Sequence, residues 1–168
     1  LVVDNALDEA SKATVAALAE HSPFKLHYDT EAQPGIVFAR NKCAQRFLES
    51  DSDYLLFIDD DEWPKNDDWA QKMLDYAEQE QVDIVTSHVI SVGEPGTPNW
   101  AVDLIYGHNP YQHGQAITDA DFYTNNLLIA RRVLENLNPP FDARFAMTGS
   151  SDYHFALRCI HTGYSAHY

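Results

Sequence analysis

The sequence predicts an α/β domain built on a mostly parallel sheet, and three observations carry the prediction. Buried-looking runs end in polar residues at Asp4 and Asp59, and a third run closes at Val92. Segments of helical composition separate these runs. The order strand, helix, strand, helix holds through the first 92 residues. Such a rhythm means strands joined by right-handed crossovers, with helices packed over the sheet. At 168 residues the chain suits one domain with a sizeable core.

Residues 1–4 read as a short strand ending at Asp4 and Asn5. Residues 8–20 read as a helix with acids in its first turn, where the macrodipole favours them. Phe24, Leu26 and Tyr28 alternate with polar residues, which predicts a half-buried strand over 24–29. After a turn at Pro34-Gly35, Val37, Phe38, Cys43, Ala44, Phe47 and Leu48 give a helical stripe. Tyr54 to Ile58 is apolar throughout, the pattern of a sheet strand covered on both faces. A helix over 67–80 and a strand over 83–92 follow.

The rhythm then breaks. Residues 93–121 carry Pro95, Pro98, Pro110 and four glycines, which predicts a lid or binding loop. A strand over 122–130, a helix over 131–137 and a break at Pro139-Pro140 come next. Ser151 to Thr162 closes the series as a helix, capped by Ser150 or Ser151 and stopped by Gly163.

Composition narrows the function. Hydrophobic residues at 45% and charged residues at 22% are ordinary for a soluble globular protein. The net charge of −15 argues against a nucleic-acid partner, because phosphate backbones want a basic face. No apolar run approaches the roughly 20 residues of a membrane span, and the opening LVVDN lacks the basic start of a signal peptide. Cys43 and Cys159 sit in apolar patterns and read as core thiols of a reducing compartment, so the expected location is the cytoplasm. "LVVD" reads as the end of an element, which predicts a piece of a longer domain.

The most informative stretch is YLLFIDDDEWP, residues 54–64, where a buried strand runs into four consecutive acids. In open α/β sheets ligands bind beyond the carboxyl ends of strands, where Asp59 to Glu62 and Asp4 stand. Two carboxylates about 4 Å apart repel by roughly 1 kcal/mol in water and about 4 at an effective dielectric of 20. A row of them raises its own proton affinity or recruits a cation. Oxygen ligands without cysteine suit Mg²⁺, Mn²⁺ or Ca²⁺. Alternation in an extended segment lets Asp59 and Asp61 point together while Asp60 points away. Substrate phosphates usually complete such a shell, which predicts a phosphate-bearing ligand. Glu62, Asp67 and Asp68 read instead as acids at the start of the following helix.

LVVDN, PGIVFARN, LLFIDDDEWP, TNNLLIARRVLE and PFDARFAMTGSSDYHFALRCIHTGY follow one another in the order seen in glycosyltransferase family 2. The chain most resembles the bacterial polysaccharide-assembly members of the succinoglycan type. The resemblance implies the GT-A fold, a Rossmann-like sheet flanked by helices and here apparently truncated at both ends. Within one domain, 1–92 would form the nucleotide- and metal-binding half and 93–168 the acceptor side. It implies inverting transfer from a nucleotide-diphosphate donor, usually a UDP-sugar, to a saccharide or lipid-linked acceptor, with Mn²⁺ or Mg²⁺ as cofactor. Asp59 and Asp61 match the metal-binding pair, with Asp59 nearer the ribose. Asp4 matches the acid that contacts the nucleotide base, and Arg40 and Asn41 match the donor-site segment. Asp152 takes the position of the catalytic base, preceded by Ser151 where the family usually has Glu. Asn125 and Trp100 are expected on the acceptor side, with Tyr106 and Tyr111 as further stacking candidates.

The apparent truncation also predicts an exposed sheet edge that a homodimer would cover, and lipid-linked acceptors imply peripheral association with the inner face of the membrane. Two other readings remain open at this point. One is a binder of Ca²⁺ or sugar nucleotide without turnover. The other is a phosphohydrolase of the haloacid-dehalogenase kind, whose nucleophile is a strand-end aspartate.

Overall fold

The computed structural model describes residues 1–6, 10–106 and 111–168. Pro110 and the first residues of the 8–20 helix lie outside that range, as does the side chain of Tyr106. In chain order the elements are β1 (Val2–Asp4), α1 (Ala10–Ala19), β2 (Tyr28–Thr30), α2 (Ile36–Leu48), β3 (Tyr54–Ile58), α3 (Trp69–Glu80), β4 (Ile84–Thr86), α4 (Asn99–Tyr106), β5 (Asn126–Ala130), α5 (Arg131–Asn136), a 3-10 turn (Ala143–Phe145), α6 (Ser151–Thr162) and β6 (Ala166–His167).

The α/β class holds, and the sheet is mixed. β1 and β2 pair in parallel as one small sheet, and the other strands lie in the order β3-β5-β4-β6. β5 runs antiparallel to both β3 and β4, while β6 is parallel to β4.

Alternation along the strands separates two cores. Leu127 and Ile129 of β5 join Val37, Ala44 and Phe47 of α2, Val133 and Leu134 of α5, and Phe155, Ala156 and Cys159 of α6. Leu128 and Val85 point the other way, onto Met73 and Ala77 of α3. β3 contributes Leu55 and Phe57 to the first cluster, and Tyr54 and Leu56 to the second, so its continuous apolarity is used on both faces. Fully burying one such side chain contributes roughly 1.5–3 kcal/mol. Phe141 sits at the centre of the larger core, 6.1 Å from the Phe57 ring and 5.0 Å from that of Phe155. Burial raises the Cys43 thiol to about 11 and the Cys159 thiol to about 12, which keeps both protonated and inert.

Four expectations need correction. The 24–29 strand shrinks to Tyr28–Thr30, because Phe24 stands exposed and has no core face to fill. The 83–92 strand stops at Thr86: Asn126 Nδ2 captures the carbonyl (3.3 Å) and hydroxyl (2.6 Å) of Ser87, turning the chain out of the sheet. The irregular 93–121 stretch contains a helix, α4. Ser150 precedes α6 without donating or accepting a side-chain cap; it adopts a left-handed conformation (φ 66°) directly after Gly149 (φ 76°). β6 was not legible, being two residues long.

Candidate active site

Arg40 organises the site. The α2 periodicity that buries Val37, Ala44 and Phe47 also turns Arg40 inward, leaving it 8% exposed. Its Nη1 donates to Asp152 Oδ1 at 2.9 Å and lies 3.4 Å from Ser151 Oγ, while Nη2 stands 3.8 Å from Asp59 Oδ1. The Phe141 ring lies 5.9 Å from the guanidinium carbon. Two acids 93 positions apart in the sequence are thereby joined across one buried cation. Asp152 Oδ1 accepts a second hydrogen bond from the Thr124 hydroxyl, at 3.0 Å. Thr124 is 1% exposed. With both donors on Oδ1, the opposite oxygen is not engaged by either.

Asp152 reaches this place through the turn before α6. Two consecutive left-handed residues, Gly149 and Ser150, reverse the chain and start the helix at Ser151. A non-glycine residue in that conformation costs about 1–2 kcal/mol, a local strain of the kind found at functional sites.

Beyond Asp59 opens a cavity of about 1000 Å³. Asp59, Asp61, Glu62 and Trp63 line it together with Ser87 to Val92, Asn125 and Asn126. Burial, ahead of neighbouring Asp152, Asp61 and Asp60, pushes the Asp59 carboxyl above its ordinary range, even though Arg40 pulls it down. Glu62 is also raised, first by burial. The chain turn carries Glu62 back onto the Asp59 N–H (3.2 Å), and Asn125 Nδ2 donates to its other oxygen (3.1 Å). Glu62 is therefore part of the site and not an acid of the α3 first turn; α3 begins only at Trp69.

Among the described residues, no three His, Cys, Asp or Glu side chains converge into a group that would hold a metal. The donor set nevertheless fits a hard cation completed by its ligand: Asp59 and Asp61 line one cavity, offer only oxygen, and repel each other. Asp59 and Asp61 are the residues that would hold it.

The remaining candidates fall elsewhere. Asp4 is buried at the end of β1, accepting from the Ala6 N–H and the Tyr28 hydroxyl, both at 2.8 Å. These bonds, the backbone one first, hold its carboxyl below the usual range. Asn41 is spent on the backbone of Phe141, with Nδ2 donating to its carbonyl (2.7 Å) and Oδ1 accepting from its N–H (3.0 Å). It therefore anchors the loop under Arg40. Asn125 and Asn126 both line the cavity, because Asn125 precedes the regular part of β5 and strict alternation does not apply to it. Trp100 lies on α4, 67% exposed and away from the cavity lining. Tyr111 stacks on Tyr168 at 5.6 Å and donates to Asp121 at 2.8 Å, so it packs inward. Trp63, 69% exposed and on the cavity wall, is the aromatic that sequence reasoning missed. Its signal was its position, directly after the acids at the end of a buried strand. Thr124 carries no signal of its own in the sequence, because a threonine beside a buried strand is an ordinary packing residue.

The sequence profile described as glycosyl transferase family 2 matches residues 1–137, a span that contains Asp4, Arg40, Asp59, Asp61 and Thr124 and ends before Asp152. No curated protein matches. Among solved structures, the fold is similar to the crystal structure of A197 from STIV, with a TM-score of 0.57 over 90% of this chain and 73% of that one, at 18% identity. That likeness concerns the fold alone. With the family profile covering most of its length and strand-end acids lining a cavity where such folds bind ligands, the chain belongs to glycosyl transferase family 2.

Proposed function

We propose that this protein transfers a sugar, with inversion, from a UDP-sugar to a saccharide or lipid-linked acceptor in polysaccharide assembly. The observation that carries the reading is the Arg40 bridge, which sets Asp152 beside the acid at the cavity's edge. Inversion needs one in-line displacement. The acceptor oxygen attacks the anomeric carbon, the bond to the diphosphate oxygen breaks with its electron pair, and the acceptor proton goes to a base. Asp152 is the base in this reading: Arg40 and Thr124 hold Oδ1, which leaves Oδ2 to take the proton. Residues 1–92 would bind the donor, and 93–168 would carry the base and the acceptor side. A divalent ion held by Asp59 and Asp61, Mn²⁺ or Mg²⁺, would supply neutralisation of charge on the departing diphosphate. Asn125 and Glu62 fix the turn that presents those two acids.

The test is thermal unfolding with UDP, with and without Mn²⁺, followed by transfer assays over a panel of UDP-sugars. Stabilisation by UDP that requires Mn²⁺ and vanishes in Asp61→Asn supports the donor site. Asp152→Asn should then lower turnover by about 10²- to 10⁴-fold while UDP binding persists. Unchanged turnover in that variant rejects the base assignment.

A further inference from the structure

Arg40 is a permanent positive charge placed where a cation-binding cluster is expected to be most negative. It is nearly buried, packed on Phe141, and fixed between two carboxylates, so it does not swing out to solvent at low cost. Such a charge acts oppositely on the two components of a metal–diphosphate ligand: it repels the free ion and attracts the phosphates. We propose that Arg40 makes the site selective for a divalent ion together with a diphosphate over the free divalent ion. This inference rests on the donor-site reading above and deepens it.

Three observations support it. Arg40 Nη2 stands 3.8 Å from Asp59, a carboxylate that would hold the ion, so cation and guanidinium share a ligand. Asp59 and Asp61 line the same cavity, and two such carboxylates alone would make it an indiscriminate trap for hard cations. The second carboxylate on Arg40, Asp152, belongs to another element, α6, so the guanidinium is held in place whether or not Asp59 turns toward an ion. For charges about 6 Å apart, repulsion between a guanidinium and a divalent ion amounts to about tenfold in affinity even at the dielectric of water.

The experiment measures two affinities by calorimetry: Mn²⁺ alone, and UDP in saturating Mn²⁺. Replacing Arg40 with methionine keeps an unbranched stem over Phe141 and removes the charge. Arg40→Met should bind Mn²⁺ alone about tenfold more tightly, and UDP about tenfold more weakly. Arg40→Lys should stay near wild type in both. Opposite signs are the signature, because a merely distorted site loses both ligands. Should Arg40→Met fail to fold, Arg40→Gln takes its place: it keeps an amide donor for Asp152 and loses the charge, and the same two opposite shifts are expected. The inference is overturned if Arg40→Met, or Arg40→Gln in its place, weakens Mn²⁺ or leaves it unchanged. A wild-type protein that binds Mn²⁺ and UDP together while Arg40→Met moves both affinities the same way refutes this inference and spares the donor site. A wild-type protein without Mn²⁺-dependent UDP binding refutes both.

Discussion

Thr124→Val isolates the support of Asp152 from its chemistry. The substitution exchanges a hydroxyl for a methyl at a position 1% exposed and keeps the branched shape, so packing against the core is nearly conserved. What is lost is the 3.0 Å bond to Asp152 Oδ1. Hydrogen bonds to charged groups contribute about 1.5–3 kcal/mol; Asp152 keeps the Arg40 donor at 2.9 Å, so the lower half of that range applies, about 1.5–2 kcal/mol. Urea denaturation of Thr124→Val, Asp152→Ala and the double variant closes a cycle. The cost of Thr124→Val should appear in the wild-type background and fall by at least about 1 kcal/mol when Asp152 is absent. Thr124→Ser should recover most of it. In transfer assays Thr124→Val should lower kcat by about tenfold, since each 1.36 kcal/mol is a factor of ten, with KM for the donor little changed. An equal cost in both backgrounds would mean that the hydroxyl serves packing alone, and the account of how Asp152 is held would fail.

Asp59→Asn should raise the urea midpoint of the metal-free protein at pH 7. The folded carboxyl has its proton affinity raised, chiefly by burial, so its contribution to stability is present below the unfolded value near 3.8 and lost as pH rises through the folded one. The gain from Asn should shrink toward acid pH, and a lower midpoint at pH 7 would contradict the desolvation argument. Asp83→Ala should cost about 2–3 kcal/mol, because this carboxylate is 3% exposed and accepts from Arg132 Nε and from the Ser165 N–H and hydroxyl, tying β4 to β6. A cost under 1 kcal/mol by the same measurement would remove that role. Trp63→Ala should leave stability within about 0.5 kcal/mol, its indole being exposed, and raise KM for a saccharide substrate. An unchanged KM would take Trp63 off the ligand surface.

The strand-end acids were legible because nothing in folding explains a buried strand that runs into four like charges; the same logic found Asp152 only with the help of family resemblance. Periodicity gave α2, β3 and α6 nearly to the residue, since α2 and α6 bury a face each and β3 packs side chains against both cores. It overran at 24–29 and 83–92, where apolar residues end up exposed or on the cavity wall. Direction of pairing was not readable: the same alternation serves β5 whether it runs parallel or antiparallel. Nor was the Arg40 bridge, because an arginine on a helical stripe looks alike whether it meets solvent or two carboxylates.

Ser87 is pinned to Asn126, and the five residues after it hang beyond the last hydrogen-bonded rung of β4, contributing nothing to either core. Evolution and protein engineers alike can therefore rewrite His88 to Val92 without unsettling the scaffold. If the cavity they line is the donor site proposed above, grafting that pentapeptide from another family member is the economical test of whether this wall selects the sugar.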